Sequence, residues 1–429
     1  MALTSLPGFR DFFPAEMRLR THILAGWHRV AGRYGFEEYD GPPLEPLELY
    51  VRKSGEEIVG QLYRFTDQGG REVALRPEMT PTFARMVGAR AAGLPKPIRW
   101  YSTPQLFRYE RPQKGRLREH FQLNMDIVGE SGELADAEII AAAIDVLREF
   151  GLGEADIVAR VSDRKLMAAV LRQCGVPEDS LNGAFAVIDR LDKEDEAALR
   201  ERLGKLGVAG AATDRILGLA GDSDLTLEAF VAGCGASAEI EAAADRLACV
   251  LDHLEAMGLG GFVRFDATLV RGLAYYTGTV FELWDRAGEF RAICGGGRYD
   301  GLLEAVGGPD LPALGFGMGD VVLAGLLTSR GLVPEGIPAV QDFVICETRD
   351  QRSLGLRVVH RLRDAGRRVV YDFADRSMAR QLKVAHQLGA ERAVLIGPAG
   401  GNEDVVRLRD LDSGDEERVS IEDLNPTND

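Results

Sequence analysis

Apolar residues recur at helical spacing from Pro14 to Tyr34, which predicts an amphipathic helix that opens on a proline. Phe36 to Tyr39 then leads into the turn Gly41-Pro42-Pro43, and Pro43 begins an extended piece, Pro43-Leu44-Glu45. Two strand-like stretches, Leu62 to Thr66 and Glu72 to Arg76, flank Asp67-Gln-Gly-Gly70, a hairpin by its turn chemistry. A second antiparallel pair is predicted at Gln105 to Tyr109 and His120 to Val128, on either side of a basic loop. Residues 166–262 change character. They carry Ala, Leu, Glu, Asp and Arg at helical spacing, with Gly and Pro as punctuation, and predict a helical insertion. Strands resume at Val263 to Val270 and Tyr275 to Trp284. A strand from Phe290 to Cys294 meets a glycine cluster, and a short one, Ala313 to Met318, ends at Gly319.

Residues 327–340 hold two prolines and two glycines and read as a linker. After it a strand (Asp342 to Cys346), a helix (Ser353 to Ala365), a strand (Arg368 to Tyr371), a helix (Met378 to Leu388) and a strand (Ala393 to Ile396) alternate. That order is the mark of a small α/β domain with a mostly parallel sheet.

With 429 residues the chain has room for two or three domains. Its 45% hydrophobic and 28% charged residues are the mix of a soluble globular protein. No apolar run approaches the ~18 residues that span a bilayer, and Met1 to Arg10 lacks the layout of a signal peptide. No membrane association and a cytoplasmic location are expected. Cys174, Cys234, Cys249, Cys294 and Cys346 are scattered without a Cys-x-x-Cys pair, so buried thiols are expected rather than disulfides or a metal site. The formal charge of −16 argues against non-specific binding of nucleic acid, because a phosphate backbone is repelled at long range. Any such contact needs a local basic patch.

One patch is the loop Phe107-Arg-Tyr-Glu-Arg-Pro-Gln-Lys-Gly-Arg-Leu-Arg-Glu-His-Phe-Gln122, which gathers Arg108, Arg111, Lys114, Arg116 and Arg118. A guanidinium fixed at a strand end grips phosphate with two parallel hydrogen bonds. Taken alone, the loop reads equally as a solvated turn balanced by Glu110 and Glu119. In Leu75-Arg-Pro-Glu-Met-Thr80, Glu78 and Thr80 end an extended piece, where a carboxylate can take an ammonium or imidazole donor, or pair with Arg76 or Arg85. Arg271 stands just before a glycine and two aromatics in Leu269-Val-Arg-Gly-Leu-Ala-Tyr-Tyr276. Cys294-Gly-Gly-Gly-Arg-Tyr-Asp-Gly301 lets backbone approach a ligand, or makes a tight turn. It is neither a P-loop nor a dinucleotide fingerprint.

Together these segments resemble the histidyl-tRNA synthetase family, a class II aminoacyl-tRNA synthetase family. Phe107 to Gln122 resembles motif 2; Arg271 to Glu282 and Gly295 to Gly301 resemble its histidine-specific elements. Gly8-Phe-Arg-Asp-Phe-Phe-Pro14 is similar to its amino-terminal signature, and Gly35 to Glu45 looks like motif 1, which implies a homodimer around Pro43. The resemblance implies an α+β fold: the class II antiparallel sheet flanked by helices over 1–326, the insertion at about 166–262, and a C-terminal α/β anticodon-binding domain over 338–425. It implies ATP-dependent activation of histidine to histidyl-adenylate and transfer to tRNA(His), with Mg2+ accompanying ATP. Arg108 and Arg271 would act on the α-phosphate, with Glu110 and Arg116 also at ATP. Glu78, Thr80, Gln122, Asp126, Tyr275 and Tyr276 would surround histidine. Arg111, Gln113, Arg376, Arg380 and Lys383 would contact tRNA, Gln381 lying on the same predicted helix.

The chain departs from the family pattern at three places. Val322 in Gly315-Phe-Gly-Met-Gly-Asp-Val-Val-Leu323 stands where motif 3 carries an arginine. Ala274 replaces an acidic residue and Met79 a glycine. A replacement cation is expected, with Arg291 the candidate, and Asp320 is read as a cap of the helix that follows. The lost arginine favours a rival reading, the synthetase-like regulatory subunit of ATP phosphoribosyltransferase. Arg108, Arg271, the motif 2 loop and the anticodon-like domain oppose it. A sister synthetase for proline, threonine or glycine is opposed by Arg271-Gly-Leu-Ala-Tyr-Tyr276.

Overall fold

The structure, a computed structural model, describes residues 4–54, 56–111, 113, 115–191, 194–208, 210–220, 225–270, 275–333, 340–397 and 405–424, with side chains 52–58 and 220 left aside. The chain forms two compact units, residues 1–333 and 334–429.

In the first unit the strands are β1 (Glu37–Glu38), β2 (Leu44–Pro46), β3 (Arg64–Thr66), β4 (Glu72–Leu75), β5 (Ile98–Ser102), β6 (Gln105–Phe107), β7 (Glu119–Val128), β8 (Ile157–Asp163), β9 (Val263–Phe265), β10 (Thr279–Asp285), β11 (Cys294–Arg298) and β12 (Ala313–Gly319). The main sheet runs β1-β5-β7-β12-β11-β10-β8-β9, with β6 on the free half of β7. It is antiparallel through its centre and parallel only at its edges, β1 with β5 and β8 with β9. The expected hairpin is β3–β4, and β2 completes a small separate sheet.

One face of the main sheet is covered by the helices Pro14–Arg33 and Glu133–Arg148. The second is apolar almost all round (Ile139, Ile140, Ile144 and Leu147 are buried), as a helix sunk in a core must be. Period-two alternation divides β7 between the faces. Leu123, Met125 and Ile127 join that core, while Gln122, Asn124 and Asp126 stand on the other side. Between Arg164 and Ala256 the described residues form helices and no strand, several capped by side chains such as Asp163, Thr226 and Ser237.

The strands expected at 263–270 and 275–284 are shorter. The Asp266 carboxylate accepts from the Thr268 N–H at 2.9 Å, a local turn that ends β9. Residues 290–293 are not strand: β11 begins at Cys294 and carries the glycine cluster inside the sheet. The helix Asp320–Ser329 runs past the expected boundary at 326.

In the second unit β13 (Asp342–Cys346), β14 (Val369–Tyr371) and β15 (Arg392–Ile396) are parallel. The helices Arg352–Asp364 and Met378–Gln387 stand between them in sequence. Two strands that the apolar pattern does not announce, β16 (Val405–Asp410) and β17 (Glu416–Ser420), add antiparallel to β15.

Candidate active site

Strand alternation and glycine build a cavity of about 220 Å³ on the uncovered face. Gln122, Asn124 and Asp126 rise from β7, and their neighbour β12 offers Gly317 and Gly315 beneath them. A Cβ at Gly315 would lie 2.2 Å from Asp126 Oδ1, and one at Gly317 would lie 2.0 Å from Gln122 Nε2. Glycine is therefore required for these side chains to lie where they do. Gly295 and Gly297 of β11 pair with Gly317 and Gly315, so the cluster continues the floor and is not a turn. At Gly297 a Cβ would approach the Thr279 carbonyl to 2.5 Å and the Tyr276 ring to 2.9 Å.

All six residues expected around the amino acid line this cavity: Glu78, Thr80, Gln122, Asp126, Tyr275 and Tyr276. Thr80 does not end an extended piece; it opens the helix Thr80–Arg90, which Pro81 favours. The alternative partners of Glu78 are engaged elsewhere, Arg76 with Asp40 and Arg85 with Glu45, both at 2.6 Å. Met79 is fully buried core. Three further non-glycine residues that line it were not singled out in the sequence, Asn124, Tyr299 and Phe316. Asn124 could have been found by counting two residues from Gln122. Tyr299 lies in the segment Gly295 to Gly301 that carries the family resemblance, which could have pointed to it. Its hydroxyl donates to Asp126, and burial, with the charge of Asp126, pushes its pKa well above the ordinary phenol value. It remains a neutral donor. The Tyr275 and Tyr276 rings lie 4.7 Å apart and close one wall.

A second cavity, about 310 Å³, adjoins the first. Arg108, Gln122, Gly295 and Gly317 line both. Arg108 is held at the junction by Nε, which donates to the Pro77 carbonyl at 3.0 Å. Arg116 lines only the second cavity and pairs with Glu110 at 2.8 Å, so the three described ATP candidates of the motif 2 loop are neighbours. Glu282, His120, Val322 and Arg291 complete much of the wall. His120 is partly buried, and burial, then the charges of Arg108 and Arg10, push its pKa down to about 3, leaving a neutral imidazole. Arg271, Ala274 and Lys114 lie outside the described residues.

The other loop residues divide by role. Arg111 and Gln113 are exposed. Arg118 is structural: its Nε donates to the Glu110 carbonyl at 3.0 Å and its guanidinium stacks on Tyr109 at 4.7 Å. Asp320 does not cap its helix. Its carboxylate accepts from the Phe121 N–H and from Arg10 Nη1, each at 2.9 Å, tying β7 and the amino-terminal segment to that helix.

In the second unit Arg376, Arg380 and Lys383 are exposed, but Gln381 is not on their face. It is 5% exposed, and its amide donates to the Cys346 and Arg376 carbonyls at 3.0 and 2.7 Å. Among the described residues no group of three or more His, Cys, Asp or Glu is gathered to hold a metal ion. No helix among them is long and apolar enough to cross a membrane.

A family model described as histidyl-tRNA synthetase matches residues 8–319, and one described as an anticodon binding domain matches 338–427. The histidine–tRNA ligase of Opitutus terrae is 45% identical over 97% of this chain and 96% of its own length. The crystal structure of histidyl-tRNA synthetase from Nostoc sp. PCC 7120 covers 99% of both chains with a TM-score of 0.83 at 25% identity. A Bacillus halodurans structure, described as an ATP phosphoribosyltransferase regulatory subunit/histidyl-tRNA synthetase, shares the fold at a TM-score of 0.76 and 24% identity, covering 92% of this chain and 98% of its own.

Proposed function

The chain belongs to the histidyl-tRNA synthetase family and is a histidine–tRNA ligase, and from that premise we propose how its two joined cavities divide the work. Histidine occupies the cavity of Glu78, Gln122 and Asp126. Its ammonium and ring N–H groups need acceptors in a dry site, and carboxylates and an amide oxygen supply them. ATP occupies the arginine-lined cavity. The observation that carries the proposal is that one guanidinium, Arg108, lines both. A carboxylate leaving the first cavity and an α-phosphate entering from the second meet there.

The reaction is an in-line displacement: a histidine carboxylate oxygen forms a bond to the α-phosphorus, the bond to the bridging oxygen breaks, and pyrophosphate leaves. Arg108, and Arg271 by the family pattern, stabilise the charge that builds on the α-phosphate. No covalent intermediate with the protein is needed. The terminal ribose hydroxyl of tRNA(His) then takes the acyl group and AMP departs. Magnesium arrives as part of the ATP substrate. Glu282 is the carboxylate that lines the ATP cavity and suits that charge.

Beyond the two cavities, Arg111 and Gln113 serve the acceptor end of the tRNA, and Arg376, Arg380 and Lys383 its anticodon. A homodimer around Pro43 is supported by exposed apolar side chains on the small sheet, Leu44 at 37% and Phe65 at 51%. The enzyme works in the cytoplasm.

Amino-acid-dependent ATP–pyrophosphate exchange across the twenty amino acids tests the proposal. Exchange with histidine alone is expected. Its absence, with histidine still bound, would favour the regulatory-subunit reading that Val322 suggests. For the RNA surface, the triple change Arg376→Ala, Arg380→Ala, Lys383→Ala is expected to lower tRNA charging about tenfold while exchange holds. Equal losses in both assays would refute that assignment.

A further inference from the structure

Among the described residues, two arginines that line the ATP cavity have a hydrogen-bond or ion-pair partner in the protein, and a third, Arg291, has no ion pair. Arg108 is bound to a carbonyl and Arg116 to Glu110. Arg291, in the bend before β11, also lines the cavity and is exposed at its mouth. Among the described residues no carboxylate lies within ion-pair distance of its guanidinium. Its nearest strong influence is another cation: burial and then the charge of Arg116 lower its pKa below the usual guanidinium value, and Glu110 only partly offsets this. Two guanidinium groups facing one polar space repel unless an anion comes between them.

The path of the chain fixes where Arg291 reaches. Gly115 forms the tip of the motif 2 loop with φ +77°, and a Cβ there would stand 3.5 Å from Val322 Cγ2 and 3.7 Å from Arg291 Cδ. The stem of Arg291 and the side chain of Val322 thus both lie against the loop tip, Val322 being a position at which the helix Asp320–Ser329 presents an aliphatic group to the cavity. Arg108 marks the inner end of the space, where the histidine cavity begins. Arg116 and Arg291 line only the outer part.

We propose that Arg291 is a nucleotide-binding residue of this enzyme, closing with Arg116 on the terminal phosphates of ATP and supplying the cation that Val322 does not. The inference rests on the two-cavity reading above and goes beyond it by naming a residue outside the motifs that the sequence analysis matched to the family. A doubly charged terminal phosphate between two guanidiniums removes their repulsion and adds charge-assisted hydrogen bonds. The contact requires the β- and γ-phosphates, so AMP should not experience it.

Kinetics of histidine-dependent pyrophosphate exchange for wild type, Arg291→Ala and Arg291→Gln give the test, with AMP as a competitive inhibitor in each. We expect the KM for ATP to rise tenfold or more in both variants. The KM for histidine and the inhibition constant of AMP should stay within twofold. A KM for ATP within twofold of wild type overturns the proposal, and so does an equal weakening of ATP and AMP. If the wild type itself shows no histidine-dependent exchange, the proposed function fails first. Arg291→Gln keeps the stem against Gly115 and Val322, so a loss confined to Arg291→Ala would assign Arg291 a packing role and also overturn the proposal.

Discussion

The two cavities that meet at Arg108 are built differently. The inner one stands on β7, β11 and β12 in the middle of a hydrogen-bonded sheet, where side-chain direction is fixed by alternation and clearance by glycine. The outer one is closed by a loop, a bend and the first turn of a helix, with Arg116, Arg291 and Val322 contributed by the three. A strand-built pocket has little freedom to move a functional group: Gln122 and Asp126 have one place to go. A loop-built pocket can receive the same charge from another segment, which is how the chain can carry valine at 322. On the proposed assignment, the amino acid is read by the rigid part and the triphosphate is gripped by the adaptable part.

The junction is where the comparison is most easily broken. Arg108→Ala is expected to lower histidine-dependent exchange by about a thousandfold, on the order of 4 kcal/mol of transition-state stabilisation. Histidine binding measured by calorimetry should persist. A loss under about threefold, less than ~1 kcal/mol, would mean that the shared arginine does not join the two halves of the reaction.

Rigidity of the inner cavity is sharpened by Gly317→Ala. The nearest atoms the added methyl meets all belong to the Gln122 side chain, so the fold should survive with its melting temperature nearly unchanged. The KM for histidine should rise about tenfold as Gln122 is displaced. An unchanged KM would show that the clearance is not needed for binding.

The smallest effect concerns His120 in the outer cavity. Its folded pKa, about 3, lies below the ordinary value of 6.5, so the unfolded chain binds the proton more readily between those values. Stability from this group is complete above pH ~6.5 and is lost as pH falls toward 3. At pH 5 the loss reaches up to about 2 kcal/mol relative to pH 7. Denaturant titrations of wild type and His120→Gln should differ by that slope. Parallel pH profiles would contradict the assignment.

The same contrast decides what the sequence could reveal. β7 was legible with its loop, because alternating apolar residues announce both the strand and which residues face away from the core. The inner-cavity residues came from the family resemblance, and alternation along β7 is the physical reason that Gln122 and Asp126 face away from the core. Gly295 to Gly297 pointed to a turn or a close backbone approach. Only the register with β12 shows that they lie inside the sheet, where Gly296 clears the β12 backbone at Gly315 and Gly297 clears the Thr279 carbonyl and the Tyr276 ring. β17 was hidden because an exposed edge strand of Glu-Glu-Arg-Val-Ser buries little. Gln381 was grouped with the basic helix face because its polarity reads as exposure, whereas two backbone carbonyls satisfy it inside. Arg291 fell in a bend that looked like strand, and its direction came from the fold alone.

The central claim, that a histidine cavity and an ATP cavity share one arginine to make an acyl-adenylate, is tested most directly by a rapid-quench single turnover. Excess enzyme is mixed with histidine and α-phosphate-labelled ATP, without tRNA. The account predicts labelled histidyl-adenylate in an amount approaching that of the ATP, vanishing as AMP when tRNA(His) is added and charged. Histidine and ATP both bound, with no adenylate formed, would contradict it.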